Sequence, residues 1–261
     1  MNNRAIGIFD SGLGGLTAFK VIREIMPNED VIYFGDTVKA PYGEKSNEEI
    51  IQLGKNNVAF LHSAGVKVIL VACGTVSSRL RKITRMPNVI GVIDAPCRKA
   101  IQMSKNKKIG VLATSATIKT KTFEKHLKNL DNDVSVVSQA CPKWAAMIEA
   151  GEGNSDNPEF IESLNEYLNP MLNSGVDTIL LGCTHYPIIE KYIKDNLPQD
   201  INVVDAGKET AIFLKNFLQK NNLFADENRH GVDKIFVSGD KNKFAVQAQK
   251  FLEYDISDKI F

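Results

Sequence analysis

One run of sequence occurs twice in this chain, and both copies end on a cysteine. Gly65-Val66-Lys67-Val68-Ile69-Leu70-Val71-Ala72-Cys73 aligns without gaps on Gly175-Val176-Asp177-Thr178-Ile179-Leu180-Leu181-Gly182-Cys183. An apolar, β-branched run of this length predicts a buried parallel strand. Each cysteine then stands where a strand gives way to a loop, the usual place for chemistry in open α/β sheets. Two such units, each presenting one thiol, predict a cleft between related halves. They also predict a reaction that needs a matched pair of bases or nucleophiles.

Three further runs recur in the same order. Ile6-Gly7-Ile8-Phe9-Asp10-Ser11 matches Ile109-Gly110-Val111-Leu112-Ala113-Thr114. Val31-Ile32-Tyr33-Phe34 matches Val134-Ser135-Val136-Val137, and Ile93-Asp94-Ala95 matches Val204-Asp205-Ala206. Buried strands resemble one another, so a single match carries little. Four collinear matches favour a duplicated α/β unit over one sheet of similar strands. The repeat spacing sets the units at roughly residues 1 to 95 and 96 to 206. A helix near Thr210 to Gln219 and a strand near Lys234 to Val237 follow, and the sequence alone does not assign them to either unit.

Helix signals fall between the strands. Ser46 with Glu49 fits a capping box, and Ile50, Leu53, Val58 and Leu61 form an apolar stripe up to Gly65. Asn157-Pro158 reads as an N-cap followed by proline at the first helical position. Phe160, Ile161, Leu164, Leu168, Met171 and Leu172 keep helical spacing to Gly175. Pro170 inside that stripe is expected to kink or shorten the helix. Alternating strands and helices predict mostly parallel sheets with right-handed crossovers.

At 261 residues the chain has room for two ordinary domains. A net charge of +1 without a basic run argues against nucleic acid as the main partner. No apolar run approaches the roughly 18 residues of a membrane helix, and no leader-like segment precedes the first strand. Cys73, Cys97, Cys141 and Cys183 show no CxxC spacing. The expected compartment is the cytoplasm, where thiols stay reduced.

Among the candidate residues, Cys97 and Cys141 read as small buried hydrophobes. Cys73 and Cys183 differ, because they recur at equivalent strand ends and polar residues follow each. Gly74, Thr75, Ser77 and Ser78 come after the first; Thr184, His185 and Tyr186 come after the second. Hydroxyls and free backbone N–H groups there suit a carboxylate ligand. His185 lies two residues from Cys183, close enough to shuttle its proton. Zinc on Cys73, Cys183 and His185 is a rival, but the spacing fits no common structural zinc pattern and a fourth ligand is not obvious. A Cys73–Cys183 disulfide is a second rival, disfavoured by the compartment. Asp10-Ser11-Gly12-Leu13-Gly14-Gly15 closes the first strand. It fails the dinucleotide fingerprint at Thr17, so its glycines are expected to let backbone approach a small ligand. Asp10 is either a helix cap or, since its repeat mate is Ala113, a group with a task peculiar to one half. Pro41-Tyr42-Gly43 is an ordinary turn or a fixed loop that presents the tyrosine.

These stretches together closely resemble the glutamate racemases of bacteria. The resemblance rests on Phe9-Asp10-Ser11-Gly12-Leu13-Gly14-Gly15-Leu16, Gly35-Asp36-Thr37 with Pro41-Tyr42-Gly43, and Ala72-Cys73 with Thr75. It extends to Gly110-Val111-Leu112-Ala113-Thr114 with Thr117 and Ile118, and to Leu181-Gly182-Cys183-Thr184-His185-Tyr186-Pro187. The last is the most specific, because the related aspartate racemases typically carry glutamate at the place of His185. The resemblance implies two similar doubly wound, flavodoxin-like α/β domains related by duplication, with the active site in the cleft between them. Residues 1–95 plus 207–261 would form the first domain and 96–206 the second. It implies a racemase that needs no cofactor and no metal, interconverts L- and D-glutamate and supplies D-glutamate for peptidoglycan. No membrane is implied, and a homodimer is possible, as is common in the family.

The implied catalytic residues are Cys73 with Asp10 and Cys183 with His185. The implied substrate contacts are Asp10, Ser11, Tyr42, Gly43, Gly74, Thr75, Thr117, Thr184 and His185. Racemisation takes the α-proton from one face of the carbon and returns one to the other. One thiolate abstracts while the opposing thiol donates. A thiol with an ordinary pKa near ~8.5 is a weak base for this proton, so the site must stabilise the carbanion-like transition state and exclude water. The chain departs from the family at Gly74, where asparagine is usual. Weaker or rearranged substrate binding is expected, and Gly74→Asn is expected to lower the Michaelis constant. Racemisation of aspartate and non-catalytic binding of a small ligand are the competing readings.

Overall fold

Two glycines at equivalent places in the repeat end two equivalent helices. Gly65 and Gly175 both take the left-handed backbone, with φ of 72° and 68°, a region open to glycine at no steric cost. The computed structural model describes residues 1–252 and 255–261. Its elements up to residue 91 are β1 (Ile6–Asp10), α1 (Leu16–Ile25), β2 (Val31–Gly35), α2 (Asn47–Ser63), β3 (Val68–Val71), α3 (Gly74–Ser77), α4 (Leu80–Ile83) and β4 (Val89–Gly91). Next come α5 (Asp94–Met103), β5 (Lys108–Ala113), α6 (Ser115–Thr120), α7 (Thr122–Leu130), β6 (Ser135–Ala140), α8 (Trp144–Ala150), α9 (Pro158–Asn173) and β7 (Thr178–Leu181). The chain closes with α10 (Glu190–Asp195), β8 (Asn202–Asp205), α11 (Ala206–Lys220), β9 (Asp233–Val237) and α12 (Lys241–Leu252).

The strands form two all-parallel sheets. The first runs β4-β3-β1-β2-β9 and the second β6-β5-β7-β8. Both place the first strand of the unit beside the second and third, the flavodoxin-like order. The last strand of the chain pairs with β2, so residues 233–237 extend the first sheet.

Alternation along each strand sorts side chains onto two faces. Ile6, Ile8, Val68 and Leu70 join Ile109, Val111, Leu180 and Val204 in one continuous core that also takes in α1, α5 and α11. Phe9, Ile69 and Val71 turn the other way, onto α2. Leu112, Ile179 and Leu181 do the same against α8 and α9. Gly7 and Gly110 occupy matching sites on those outer faces. A Cβ on Gly7 would meet Val66 at 3.0 Å, and one on Gly110 would meet the Met171 sulfur at 2.5 Å. The duplicated helices therefore close on their sheets through the same missing methyl.

Two of the four sequence matches shift in register. Val31 pairs with Ile6, whereas Val136 pairs with Ile109. The true mate of Val31 is thus Val136, two residues beyond the match at Val134. A slip of two keeps every side chain on its own face, which is why the apolar pattern did not reveal it. Val89 pairs with Ile69 and Val203 with Ile179, so β4 lies before Ile93-Asp94-Ala95, and that run opens α5 instead.

The helix caps hold as read. Ser46 and Glu49 form both bonds of the capping box, and the Asn157 side chain accepts from the amides of Glu159 and Phe160, each cap contributing about 1 kcal/mol. Pro170 does not end α9, which continues to Asn173. The carbonyl its missing N–H would have bonded belongs to Glu166, an exposed residue on the solvent side of the helix, where the lost bond costs less than it would in the core.

A buried ion pair fixes the loop that leads from α11 back to the first sheet. Lys67 donates to Glu29 and to the carbonyls of Asn2 and Leu223, at 2.7 and 2.8 Å for the latter two. Glu29 also accepts the Ala225 amide at 2.8 Å. Both charges are essentially inaccessible, at 0% and 2% side-chain exposure, so each depends on the other. Lys67→Met leaves Glu29 buried without its cation. It is expected to lower stability by about 3–5 kcal/mol, read from urea unfolding, with Lys67→Met/Glu29→Gln losing less than the single variant.

Candidate active site

Both repeated strands deliver their cysteines to one cavity of about 1280 Å³. From the first half, Ser11, Tyr42, Gly43, Cys73, Gly74 and Thr75 line it; from the second, Cys183, Thr184 and His185 do. Cys73 is 4% exposed and Cys183 7%, and both thiols are free. Cys97 and Cys141 lie in the core and do not line the cavity. Among the described residues no group of three or more His, Cys, Asp or Glu side chains is placed to hold a metal ion.

The loops that carry the thiols press against each other. A Cβ on Gly74 would stand 2.3 Å from the carbonyl oxygen of Gly182. That oxygen is backbone and cannot swing away. The expected gain from Gly74→Asn is therefore corrected: asparagine does not fit the closed arrangement, because the whole Cys183 loop would have to retreat before its amide could serve a ligand. Hydroxyls join the halves beside this contact. Thr75 Oγ1 lies 3.0 Å from Thr114 Oγ1, which lies 2.9 Å from Thr117 Oγ1.

The glycine-rich turn after β1 also differs from expectation. A Cβ on Gly14 would meet Thr184 Oγ1 at 2.5 Å and His185 Nδ1 at 2.6 Å, and one on Gly12 would meet Glu149 Oε1 at 3.0 Å. These glycines make room for side chains of the second half rather than for a ligand. Asp10 lies fully buried beneath the turn. It accepts the Gly12 amide at 3.0 Å and the Thr184 hydroxyl at 3.3 Å. Neither Asp10 nor Thr117 lines the cavity; each reaches it through a threonine that does. Tyr42 donates its hydroxyl to Asp36 at 2.5 Å and accepts from Asn57 at 3.1 Å, so its phenol is committed within the first half.

The two thiols have unlike surroundings. Burial, reinforced by the Asp10 charge, pushes Cys73 up to about 12, against weaker help from the Val76 amide and Ser11. At neutral pH it is a thiol. Its sulfur lies 3.8 Å from Ser11 Oγ. Cys183 lies 3.7 Å from Nδ1 of His185, whose Nε2 is 2.8 Å from Glu149 Oε1. Burial works against charge on His185, but hydrogen bonds to Cys183 and Glu149 overcome it and raise the imidazole well above its usual range. His185 is therefore a cation linked to Cys183 on one side and to a carboxylate on the other.

Glu149 escaped the sequence reading because nothing in Trp144–Ala150 has a spacing that marks it. Packing places it: Trp144 stacks edge-on to Tyr167 and Tyr186 and donates to Ser163, and Gln247 donates to the Glu149 carbonyl at 2.9 Å. Thr114 was within reach of sequence, since it is the repeat mate of Ser11.

The Asp/Glu/Hydantoin racemase family model matches residues 17–212. The chain belongs to this family. A glutamate racemase of Thermoanaerobacter pseudethanolicus is 38% identical to this racemase-family chain over 252 residues, 97% of this chain and 94% of its own. The crystal structure of a glutamate racemase isoform from Bacillus anthracis matches with a TM-score of 0.92 at 35% identity, over 100% of this chain and 97% of that one. A glutamate racemase from Francisella tularensis subsp. tularensis SCHU S4, in complex with D-glutamate, matches with a TM-score of 0.90 at 31% identity, over 100% and 97%. The resemblance carried by the motifs thus extends over the full length and to the α/β fold with its two parallel sheets.

Two outcomes test this geometry. Gly74→Ala is expected to part the loops, so that iodoacetamide labels both Cys73 and Cys183 several-fold faster, read by peptide mass spectrometry. Glu149→Gln removes one of the bonds that keep His185 protonated, and NMR of the His185 ring is expected to show it losing its proton at lower pH. A raised histidine stabilises the fold fully below its ordinary value of 6.5, and that contribution fades as pH rises through the folded value. Glu149→Gln is expected to narrow this window from its upper end.

Proposed function

We propose that this chain interconverts L- and D-glutamate by proton transfer at the α-carbon, with Cys73 and Cys183 on opposite faces of the substrate. The observation that carries the reading is the pair of buried free thiols at equivalent strand ends of a duplicated fold, lining one cavity. Glutamate racemases among the relatives and structural neighbours support the choice of substrate.

Each residue then has a task. Cys183 exchanges its proton with His185, which Glu149 orients and keeps charged. Cys73 rests as the neutral thiol, ready to donate. To abstract instead, it must first pass its proton to Asp10, with the substrate's ammonium group near enough to hold the thiolate. Ser11 and Thr75 offer hydroxyls to the carboxylates; Thr117 holds the hydroxyl of Thr75 in place, and Thr184, which donates its own to Asp10, offers its backbone. Exclusion of water when substrate fills the cavity would strengthen these interactions as the carbanion-like state forms.

The division into residues 1–95 plus 207–261 and residues 96–206 belongs to the same proposal. It is supported by the pairing of β9 with β2 and the packing of α11 against α1. So does supply of D-glutamate to peptidoglycan synthesis in the cytoplasm. No helix among the described residues is long and apolar enough to cross a membrane.

The test is a racemase assay without added cofactor. D- and L-glutamate are expected to interconvert and aspartate to turn over far more slowly. In heavy water the product is expected to carry deuterium at the α-carbon. Cys73→Ala and Cys183→Ala are expected to abolish turnover, whereas Cys97→Ala is expected to keep it. Full activity in Cys183→Ala rules out the two-thiol scheme.

A further inference from the structure

Arg79 is a buried cation that no carboxylate touches: the exposed Glu48 attracts it only from beyond ion-pair distance. The residue is 8% exposed and lines the same cavity as Cys73. Its guanidinium donates from Nε to Asn47 Oδ1 at 2.9 Å. Nη1 donates to the Thr75 carbonyl and to Ser78 Oγ, each at 2.9 Å, and Nη2 donates to the Ala116 carbonyl at 3.1 Å. All four acceptors are neutral. Of the five N–H groups of a guanidinium, one on Nη2 has no acceptor among the described residues. Among these residues, no carboxylate lies within ion-pair distance of it either. Carbonyl dipoles solvate a charge but do not cancel it, and burying a guanidinium unpaired is unfavourable. Such a group persists where a site calls for it.

The rest of the cavity explains what it lacks. Glu149 and His185 offset each other beside Cys183. Beside Cys73, Asp10 and Asp36 are already bonded to Thr184 and Tyr42. An arriving dicarboxylate adds negative charge to this pocket; Lys45, Arg81, Lys82, Lys119 and Lys125 also line it, the first half-buried and the other four exposed, so Arg79 and the already partnered His185 are the buried cations of its lining. Arg79 grips Thr75, which follows the Cys73 loop, and Ala116, which belongs to the opposing half, so its charge sits at the seam.

We propose that Arg79 is a positioning residue of this site, whose charge, unpaired at contact distance, favours an anionic substrate and the Cys73 thiolate. The role in substrate binding rests on the racemase reading; the field at Cys73 does not. Cys73 also faces Asp10 from the β1 turn, Cys183 from the opposing loop, and Tyr33 and Tyr42 from the elements beside it. Burial weakens the proton affinity of Arg79, while Cys73 and, after it, Glu48 strengthen it, so guanidinium and sulfur, which line one cavity, feel one another.

The test is the rate of iodoacetamide labelling at Cys73, resolved by peptide mass spectrometry at pH 8. R79Q keeps a hydrogen-bond donor and removes the charge; R79K keeps the charge and loses the fork. R79Q is expected to slow Cys73 labelling about tenfold, the effect of one pKa unit, and to raise KM for glutamate more than it lowers kcat. R79K is expected to stay within threefold of wild type in labelling. A mere clasp between the halves predicts the opposite sign: R79Q would open the cleft and speed labelling of both Cys73 and Cys183. That outcome, or an unchanged rate, overturns the proposal. The wild type supplies a second reading should R79Q not fold. Anionic iodoacetate, relative to neutral iodoacetamide, is expected to react faster with Cys73 than with free cysteine, and a ratio at or below that of free cysteine overturns it. Wild-type protein that does not racemise glutamate removes the functional reading and leaves both labelling results to decide the field.

Discussion

Everything at the cavity depends on how closely two loops can approach. Between the first cysteine loop and the second there is no space for a methyl group, because the Gly182 carbonyl stands where a Cβ on Gly74 would go. A carbonyl within a strand-to-loop turn cannot rotate aside as a long side chain can. The separation of the two halves is therefore fixed by backbone, and hydroxyls of Thr75, Thr114 and Thr117 then fall within hydrogen-bond reach of one another. The glycines after β1 serve the same end. Gly12 and Gly14 are hollows into which Glu149, Thr184 and His185 fit. The absence of side chains here shapes the site as much as the side chains do.

Duplication provides two equivalent thiols, and their neighbours then make them unlike. One sulfur sits with a histidine cation and its carboxylate. The other sits above Asp10, deep enough that burial keeps it protonated, with Arg79 at the seam. Under the proposed proton transfer, the second thiol would work beside a histidine relay and the first beside fixed charges.

Much of this was legible in sequence because burial leaves a periodic trace. The strands, the capping box at Ser46, the N-cap at Asn157 and the helix-ending glycines are local matters of pattern and backbone preference. The register of β6 was misjudged by two residues, since a period of two cannot distinguish one same-face position from the next. Pro170 looked like a breaker, but its lost bond falls on the water side of α9. Glu149 and Arg79 left no trace. A charged residue in a helix, like Glu149, or in a turn, like Arg79, is ordinary in sequence, and becomes a functional group only through what folds against it.

The sequence by itself determined that this chain is a duplicated, parallel α/β protein with one strand-end thiol per unit, and its motifs determined the family. Those properties follow from side-chain periodicity and from residues that are adjacent in the chain. Tertiary structure decided which groups meet: Asp10 with Thr184, Arg79 with Ala116 and Gly74 with Gly182 between the two units, and His185 with Glu149 within the second. Each of these pairs joins segments far apart in sequence, and a hydrogen bond or a steric limit acts over a few ångströms of space. No local pattern encodes such a distance, so only the packing of the two halves could fix it.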